Sequence, residues 1–346
     1  MILEERFMKA IVSHGVKDFR LEERALPDVG DHDVLVEVEY CGFCGTDVHM
    51  YHGTWKLNIG CTPGHEVSGI IREIGSKVKS VAPGDPVAVD PGITCGVCAY
   101  CQSSQPNLCV DRIGMYHYKG GGFAAYTCVP ESQVYCLKEG TPLECGAFLE
   151  PASCCVHAAD RADIKPGQTV AVLGGGAIGL MLMQLSVLSG ATKVVVSEPQ
   201  SIRRQLAIQL GAEQVIDPGQ QNPVEEIKDI TNGGVDVVFE SAGIPVTVSQ
   251  CFEVVKPGGK IILVGVNDPA TRVEFSPYQV FRNELSVLGS LLSHDTYPRT
   301  LELISTETLK VQPLISHRLN LSKFHDALKM HEQQKGIKIL ISPKDK

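Results

Sequence analysis

Short apolar runs separated by glycine and proline turns occupy residues 7–88 of the chain. Residues 33–38 form one such run, and residues 87–89 form another after the turn at Pro83-Gly84-Asp85. Hydrophobic runs of this length, bounded by turn residues, are typical of β-strands. We therefore predict that the first part of the chain is mostly β.

From about Asp163 onward, apolar runs of strand length alternate with helical stretches. The predicted strands are residues 169–173, 193–197, 215–216, 235–239, 260–264 and 286–288, and residues 180–188 form a predicted apolar helix. This alternation is typical of a doubly wound parallel sheet, an α/β fold. A further strand candidate at residues 337–341 follows, so we expect the chain to return to the first domain after Ser290.

The length and composition indicate two globular domains. A chain of 346 residues is too long for a single hydrophobic core. Of its residues, 43% are hydrophobic and 21% are charged, and no window holds the roughly eighteen consecutive apolar residues of a membrane span. Residues 1–6 carry two glutamates and no secretory-signal pattern, which predicts a cytoplasmic location.

The balance of charges disfavours two classes of partner. The formal net charge is −9 and the sequence pI is about 5.7. Nucleic acid and anionic membranes both require a basic protein surface. We therefore expect neither as a partner and predict that the chain binds a small molecule.

A glycine-rich loop follows the first predicted strand of the parallel sheet. Residues 174–179 read G-G-G-A-I-G, and the second strand ends at Glu198, nineteen residues beyond Gly179. Glycines allow close approach of a pyrophosphate to a helix N-terminus, and an acid at the second strand binds the adenosine ribose. The pattern predicts a dinucleotide site that favours NAD, because an acid repels the 2′-phosphate of NADP. A turn that merely packs a strand on a helix is the alternative.

Two arginines after the acid oppose the preference for NAD. Arg203 and Arg204 carry positive charge close to the predicted ribose site, where it would attract a 2′-phosphate. An exposed helix face explains these arginines equally well, so the prediction of NAD stands.

Four cysteines lie within fifteen residues of one another. They are Cys95, Cys98, Cys101 and Cys109, out of an odd total of thirteen cysteines in the chain. A short loop with this spacing can wrap a tetrahedral zinc ion in four thiolates, which leaves no position for a substrate. Two disulfides, disfavoured by the predicted compartment, and an iron–sulfur cluster are the alternatives. We predict a structural zinc site.

A second set of metal-binding residue types is scattered along the chain. Cys44 begins the sequence C-G-T-D-V-H, His65 and Glu66 stand in G-H-E, and Glu150 stands in L-E-P. Cysteine, histidine and carboxylate ligands with a vacant position are typical of catalytic zinc. Each residue alone is more often a buried thiol or a hydrogen-bonded histidine than a ligand.

Together and in this order, these motifs resemble those of the zinc-containing medium-chain dehydrogenases over nearly the whole chain. Glu150 in its L-E-P context resembles the polyol (sorbitol, xylitol, arabinitol) and threonine dehydrogenases of that family. The resemblance implies a mostly-β, GroES-like catalytic domain of residues 1–155 and 292–346. It also implies a Rossmann domain that binds NAD, formed by residues 156–291.

The resemblance also implies roles for particular residues. Cys44, His65 and Glu66 match the ligands of the catalytic zinc, with Glu150 either a fourth ligand or the acceptor for a zinc-bound water. Thr46 and His49 match a proton relay. The implied NAD contacts are Gly174, Gly176, Ala177, Ile178, Gly179, Glu198, Arg203, Val264, Gly265, Val266, Gly289, Ser290 and Leu291. The cysteines interpreted as packing residues are Cys41, Cys61, Cys128, Cys136, Cys145, Cys154, Cys155 and Cys251.

One segment departs from the family pattern. Members commonly have D-G-G-F-A-E-Y where residues 120–126 read G-G-G-F-A-A-Y, so both acids are missing. The preceding residues 115–118 form an unusual aromatic cluster, M-Y-H-Y. This cluster either lines the substrate cleft or forms an exposed loop.

The predicted function is oxidation of a sugar alcohol to a ketose, with zinc and NAD as cofactors. L-threonine 3-dehydrogenase and a sugar-phosphate or vicinal-diol dehydrogenase are the nearest alternatives, and a non-catalytic NAD-binding protein is a remote one. The resemblance implies a homodimer or homotetramer. Strand pairing of residues 286–292 across a two-fold axis would build it, and an internal sheet edge is an equal explanation for that strand.

Overall fold

The computed structural model describes residues 7–344, so the prediction made from residues 1–6 lies outside the described residues. The strands are β1 (Phe7–Gly15), β2 (Asp18–Ala25), β3 (Asp33–Gly42), β4 (Glu66–Ile74), β5 (Pro86–Val89), β6 (Gly92–Ile93), β7 (Ile113–Gly114), β8 (Tyr126–Pro130), β9 (Val134–Cys136), β10 (Thr169–Leu173), β11 (Lys193–Ser197), β12 (Gln214–Ile216), β13 (Val235–Glu240), β14 (Val255–Leu263), β15 (Ser286–Gly289), β16 (Ile315–Asn320) and β17 (Lys338–Ser342).

The helices are α1 (Gly45–His52), α2 (Ala99–Gln102), α3 (Met115–Tyr118), α4 (Leu143–Gly146), α5 (Leu149–Ala162), α6 (Ala177–Leu188), α7 (Ser201–Gln209), α8 (Pro223–Thr231), α9 (Pro245–Val254), α10 (Pro277–Arg282), α11 (Tyr297–Ser305) and α12 (Phe324–Glu332), together with four short 3-10 turns. No helix within residues 7–344 has both the length and the apolar character needed to cross a membrane.

Contacts divide the chain into two compact units. Unit 1 consists of residues up to Pro151 together with those from Tyr297 onward, and unit 2 is Ala152–Thr296. The boundaries expected from the sequence, after residues 155 and 291, lie four and five residues away from these. They differ because α5 runs unbroken through the first boundary, so no turn marks it in the sequence.

Unit 1 is built on a sheet of seven strands in which β3 is central. Its order is β16-β17-β3-β4-β5-β9, with β8 also paired to β3, and β1 and β2 form a separate hairpin. The C-terminal strands β16 and β17 are parallel to each other, and β17 is antiparallel to β3. Four phenylalanines packed against one another lie in the core, and each fully buried ring contributes about 1.5–3 kcal/mol. They are Phe19, Phe43, Phe123 and Phe324.

Unit 2 is a parallel sheet of six strands in the order β12-β11-β10-β13-β14-β15. The predicted strands match it closely, because central parallel strands are buried on both faces and appear as continuous apolar runs. The strand order reverses between β10 and β13, which is where ligands bind in sheets of this kind. The predicted α/β fold class, a doubly wound parallel sheet together with a mostly-β domain, is confirmed.

Candidate functional site: two metal clusters and a dinucleotide edge

The four cysteines of the predicted structural site come together in unit 1. Their sulfurs all lie within 4.8 Å of one another, and those of Cys95 and Cys109 are 3.5 Å apart. A zinc ion with four bonds of about 2.3 Å would hold its sulfurs about 3.8 Å apart, so the cluster has the size of a single ion. An iron–sulfur cluster would separate the thiolates further, because irons and sulfides stand between them. No disulfide joins any of the thirteen cysteines, all of which lie within the described residues.

Backbone amides prepare these sulfurs to bind a cation. The amide of Cys98 donates to the sulfur of Cys95 at 3.3 Å, and the amide of Cys95 donates to the sulfur of Cys109 at 3.4 Å. Backbone amides of Cys101 and Val110 lower the pKa of Cys98 to about 6. The thiolate is the form that binds a metal, so these amides favour that form at Cys98, whereas burial and the neighbouring sulfurs raise the pKa of Cys101 to about 11.

The second cluster unites Cys44, His65 and Glu66. One ligand atom of each lies within 4.8 Å of the other two. Cys44 caps α1, and the amide of Thr46 donates to its sulfur at 3.5 Å. His65 and Glu66 stand at the start of β4, where Glu66 pairs with Gly42 of β3. A Cβ atom at Gly42 would overlap the Glu66 carboxylate, so the glycine makes room for this side chain.

Asp47, a buried acid that the sequence analysis did not single out, lies beside this cluster. One of its carboxylate oxygens accepts the amide of Cys44 at 3.0 Å, and the other is 3.6 Å from Nδ1 of His65. Burial opposes charging of His65, but the nearby carboxylate of Asp47 outweighs it and raises the pKa of His65 well above its usual range. A carboxylate in this position orients a metal-binding histidine. Its position three residues after the cap Cys44 was the available signal.

Lys338 is a second residue that the sequence analysis missed. Its Nζ donates to both carboxylate oxygens of Glu66 at 2.7 Å, in a fully buried ion pair. Burial lowers the pKa of Lys338, but the negative charge of Glu66 outweighs it and raises that pKa. The pair reduces the negative charge that two carboxylates would place near a metal ion. A lysine within the apolar run at 337–341 was the available signal.

Glu150 lies close to this cluster but is not part of the mutually close set. It is buried at the start of α5, and burial raises its pKa, with His65, Glu66 and Lys338 as the next contributors. The structure thus places Glu150 within electrostatic reach of the other three residues. The ligand atoms of Cys44, His65 and Glu66 lie within 4.8 Å of one another, and Glu150 is not part of that group.

The two predicted relay residues lie on α1. Thr46 and His49 are three residues apart, a spacing that places side chains on one helix face. The ring of His49 stacks on Trp55 with the ring centres 5.8 Å apart. His49 is partly exposed to solvent, whereas Met50, the next residue, is buried.

In unit 2 the glycine-rich loop follows β10 and leads into α6. Gly174 has a φ of +107°, and a Cβ atom there would lie 2.8 Å from the amide nitrogen of Ala242, so only glycine fits. Gly176 caps α6, whose first residues are Ala177, Ile178 and Gly179. The loop thereby presents free backbone amides at a helix N-terminus.

Glu198 lies at the end of β11 and faces the glycine loop. Its carboxylate accepts the amide of Gly175 at 2.7 Å and that of Gln200 at 2.8 Å. Nη1 of Arg203 is 3.7 Å from this carboxylate. Arg204 is 2.8 Å from Asp217 and donates to the carbonyl of Glu198. Both arginine side chains are less than one-fifth exposed, so they do not form an exposed helix face.

The remaining predicted cofactor contacts lie at the carboxyl ends of β14 and β15. The amides of Val264 and Gly265 donate to the carbonyl of Glu240 at 2.9 Å, and Ser290 donates to Leu263 at 2.9 Å. Val266 and Leu291 are about half exposed, at 50% and 52%. Gly289 ends β15. These positions share one edge of the sheet with the glycine loop, as ligand-binding residues of such sheets do.

The loop after β13 also belongs to this edge and was not predicted. The hydroxyl of Ser241 donates to the carbonyl of Gly174 at 2.9 Å. The buried carboxylate of Glu240 accepts the amides of Ala242 and Gly243 and the hydroxyl of Thr247. Glu240 therefore fixes the shape of the loop that lies against the glycine turn. An acid ending a buried strand was the signal for it.

Comparison with known proteins identifies the family. Residues 177–306 match the zinc-binding dehydrogenase family, and residues 30–139 match the alcohol dehydrogenase GroES-like domain. The chain is 32% identical to a sorbitol dehydrogenase of Bacillus subtilis, covering 97% of each chain. It is 31% identical to D-arabinitol dehydrogenase 1 of Uromyces fabae, again covering 97% of each.

A solved structure agrees over the whole fold. It is that of a protein from Sinorhizobium meliloti described as a zinc-binding dehydrogenase and bound to NADP, which has a TM-score of 0.93 and 37% identity and covers 98% of this chain and all of the other. The chain belongs to the zinc-binding medium-chain dehydrogenases, in their polyol dehydrogenase-like branch. It is an alcohol dehydrogenase that uses zinc and a nicotinamide cofactor.

Proposed function

We propose that this enzyme oxidises a secondary hydroxyl of a polyol to a ketone, with a catalytic zinc ion held by Cys44, His65 and Glu66. The observation that carries the proposal is their mutual distance of 4.8 Å or less. Three mixed ligands leave the fourth position of a tetrahedral ion for the substrate. The relatives named for sorbitol and arabinitol support a polyol as the substrate class.

The surrounding side chains fit this role. A zinc ion bound there would act as a Lewis acid that lowers the pKa of the substrate hydroxyl. Asp47 orients His65, and Lys338 holds Glu66 in place. Glu150, outside the close set, accepts a hydrogen bond from the substrate or from a water rather than binding the ion. The four clustered cysteines of the 95–109 loop, Cys95, Cys98, Cys101 and Cys109, hold a structural zinc ion.

The hydroxyl proton leaves through the protein. Thr46, beside Cys44, would take up this proton while passing its own to the ribose of the bound nicotinamide cofactor, and His49, on the same face of α1 and partly exposed, would carry a proton from that ribose to solvent. The net reaction transfers a hydride from the alcohol carbon to the nicotinamide cofactor and releases one proton. Each of the two residues gives up one proton for each proton that it receives, so neither has a different charge once the proton has reached solvent.

A substrate panel tests the proposal. We expect the zinc-loaded enzyme to reduce NAD with at least one of sorbitol, xylitol, arabinitol and galactitol, and to prefer it in kcat/KM over threonine and butanediol. The absorbance of the reduced nicotinamide measures the rate. A preference for threonine would assign the enzyme to amino-alcohol oxidation instead, and no reaction with any of them would remove the proposed activity.

We propose NAD as the preferred cofactor, and Glu198 as the residue that selects it. A carboxylate at the end of β11 binds the ribose hydroxyls and repels a 2′-phosphate. Glu198→Ala is expected to raise the KM for NAD about tenfold or more, as the loss of a charge-assisted hydrogen bond does, and to affect NADP less. Glu213→Ala, an exposed acid nearby on the chain, serves as the control. An unchanged ratio of kcat/KM for the two cofactors would remove Glu198 from this role.

We further propose a homo-oligomer assembled through β15. This strand ends the sheet of unit 2, where it pairs with β14, and Val287 on it is 40% exposed. An unpaired edge strand is a template for pairing with a second copy across a two-fold axis. Sedimentation of the full chain measures the assembly, and a monomer would contradict the proposal.

A further inference from the structure

A cavity separate from the three metal-site residues lies in unit 1. Its volume is about 260 Å³, and its walls come from the start of β1, the end of β2, residues 60–62 and residues 116–121, with Ala124 and Tyr126. At ~30 Å³ per water molecule, it has room for on the order of eight small groups. It is therefore large enough for a small ion together with a few attached atoms.

The charge of this cavity is one-sided. Among the described residues, its lining includes the cations Arg24 and Lys119 but no aspartate or glutamate, and burial lowers the pKa of the third basic residue there, His117, which favours its neutral form. The charge of Lys119 is met by Asp33 at 2.6 Å. Arg24 donates to the carbonyl of Gly60 and has no acidic partner within residues 7–344. In a protein with a net charge of −9, an unbalanced arginine in a cavity attracts an anion.

His117 supplies an independent sign of a missing ligand. Its Nε2 is buried and has no hydrogen-bond partner among the described residues. A buried polar atom without a partner is costly, so it is expected to meet a group that the protein alone does not provide. Arg24 lines the cavity from β2 and His117 lines it from α3, so two polar side chains border it from separate elements.

Tyr116 connects this cavity to the candidate zinc site. It lines the cavity, and its pKa is raised by burial and also responds to the charges of His65, Asp47 and Glu150. Thr62, another lining residue, is three positions before His65 and accepts the amide of Gly121 at 2.9 Å. The cavity therefore shares Tyr116 with the electrostatic surroundings of the candidate zinc site. Its lining also includes four residues of the G-G-G-F-A-A-Y segment, in which both expected acids are absent: Gly120, Gly121, Ala124 and Tyr126.

We propose that this cavity binds a phosphate group through Arg24 and His117. A tetrahedral oxyanion accepts hydrogen bonds in several directions at once, which suits donors that approach from separate elements. The group comes either from a phosphorylated polyol, whose hydroxyl chain extends past Tyr116, or from a separate phosphate that occupies the cavity beside the substrate. Only the phosphorylated polyol, the first of these sources, rests on the proposed polyol dehydrogenase function.

Direct binding tests the proposal without any enzyme turnover. Inorganic phosphate is titrated calorimetrically into the zinc-loaded full chain and into Arg24→Met. We expect saturable binding in the millimolar range or tighter, weakened about tenfold or more by the variant, because a charge-assisted hydrogen bond is lost. The control is Arg20→Met, on the same strand but paired with Asp18 outside the cavity. Zinc content and thermal unfolding verify that each variant is folded.

His117→Gln gives a second variant in case Arg24→Met does not fold. It keeps a polar side chain of similar size, and it too should weaken phosphate binding while leaving the zinc content unchanged. Absence of saturable binding in the wild type overturns the proposal. So does equal affinity in the wild type and in the folded variants.

Kinetics with sorbitol 6-phosphate and sorbitol then distinguish the two sources. If the phosphate is part of the substrate, inorganic phosphate competes with the phosphorylated polyol, and Arg24→Met raises the KM for that compound only. If it is a separate ligand, inorganic phosphate does not compete with either compound. The calorimetric test does not depend on which of the two sources supplies the phosphate. If the polyol assay fails, calorimetry therefore still tests whether the cavity binds phosphate.

Discussion

Replacing Cys44 with serine is expected to lower kcat/KM at least about a thousandfold, equivalent to ~4 kcal/mol of transition-state stabilisation. Cys44 supplies the only thiolate in the cluster with His65 and Glu66. A serine hydroxyl stays protonated at neutral pH and binds zinc poorly, so the ion and its Lewis acidity are lost together. Zinc analysis should show one ion per chain instead of two.

The control for this variant is Cys136→Ser. Cys136 is exposed and lies outside both metal clusters, so its loss should leave the activity and both zinc ions in place. Thermal unfolding of the Cys44 variant should resemble that of the wild type, because the four-cysteine site is untouched. A Cys44→Ser enzyme that kept two zinc ions and most of its activity would refute the assigned ligand set.

The second large effect is expected on stability. Cys98→Ser should remove the other zinc ion and lower the free energy of unfolding by more than about 4 kcal/mol, since metal binding to such a loop is coupled to its folding. The loop from Cys95 to Cys109 contains few hydrogen-bonded elements, chiefly α2 and a short 3-10 turn. Without the ion, little else holds it together.

Denaturant unfolding and zinc analysis check this expectation. The exposed Cys136 gives a control, Cys136→Ser, which should change neither quantity. Activity per molecule of folded Cys98 variant should fall much less than in the Cys44 variant, because the catalytic cluster remains. Unchanged stability after loss of that zinc would mean that the loop folds without it.

The parallel sheet was the most predictable part of the fold. β10 and β11 have the predicted bounds, because buried central strands appear in the sequence as uninterrupted apolar runs between turns. β14 was predicted from residue 260 but begins at Val255, before Pro257-Gly258-Gly259. Glycine and proline within a strand suppress the hydrophobic signal, so its first half looked like a turn.

The catalytic cluster was predictable in part. Cys44, His65 and Glu66 stand in short motifs, and the combination of these motifs with the cysteine loop and the glycine loop marks them as candidate zinc ligands, whereas each residue type alone does not. Lys338 is 272 residues away from Glu66 in the chain and reaches it only because β17 pairs with β3. No local sequence pattern predicts the pairing of β17 with β3. The interpretation of Glu150 as a possible ligand likewise depended on distances that spacing in the sequence does not give.

The proposed phosphate cavity illustrates the same limit. The aromatic run at residues 115–118 was visible in the sequence, and so was the loss of the two acids in residues 120–126. That Arg24 lines the same cavity as these residues follows only from the three-dimensional fold. The balance of charges in a cavity depends on which side chains are neighbours in three dimensions, whereas the sequence gives only the net charge of the whole chain.

The most direct test of a zinc-dependent polyol oxidation is to follow one protein sample through removal and return of its metal. A mild chelator is expected to remove the ion held by three protein ligands before the ion held by four thiolates, so loss of one zinc ion per chain should abolish NAD reduction with the best polyol. Added zinc should restore both in proportion, while the Cys44→Ser enzyme should recover neither. Full activity in a sample shown to lack that zinc ion would contradict the account.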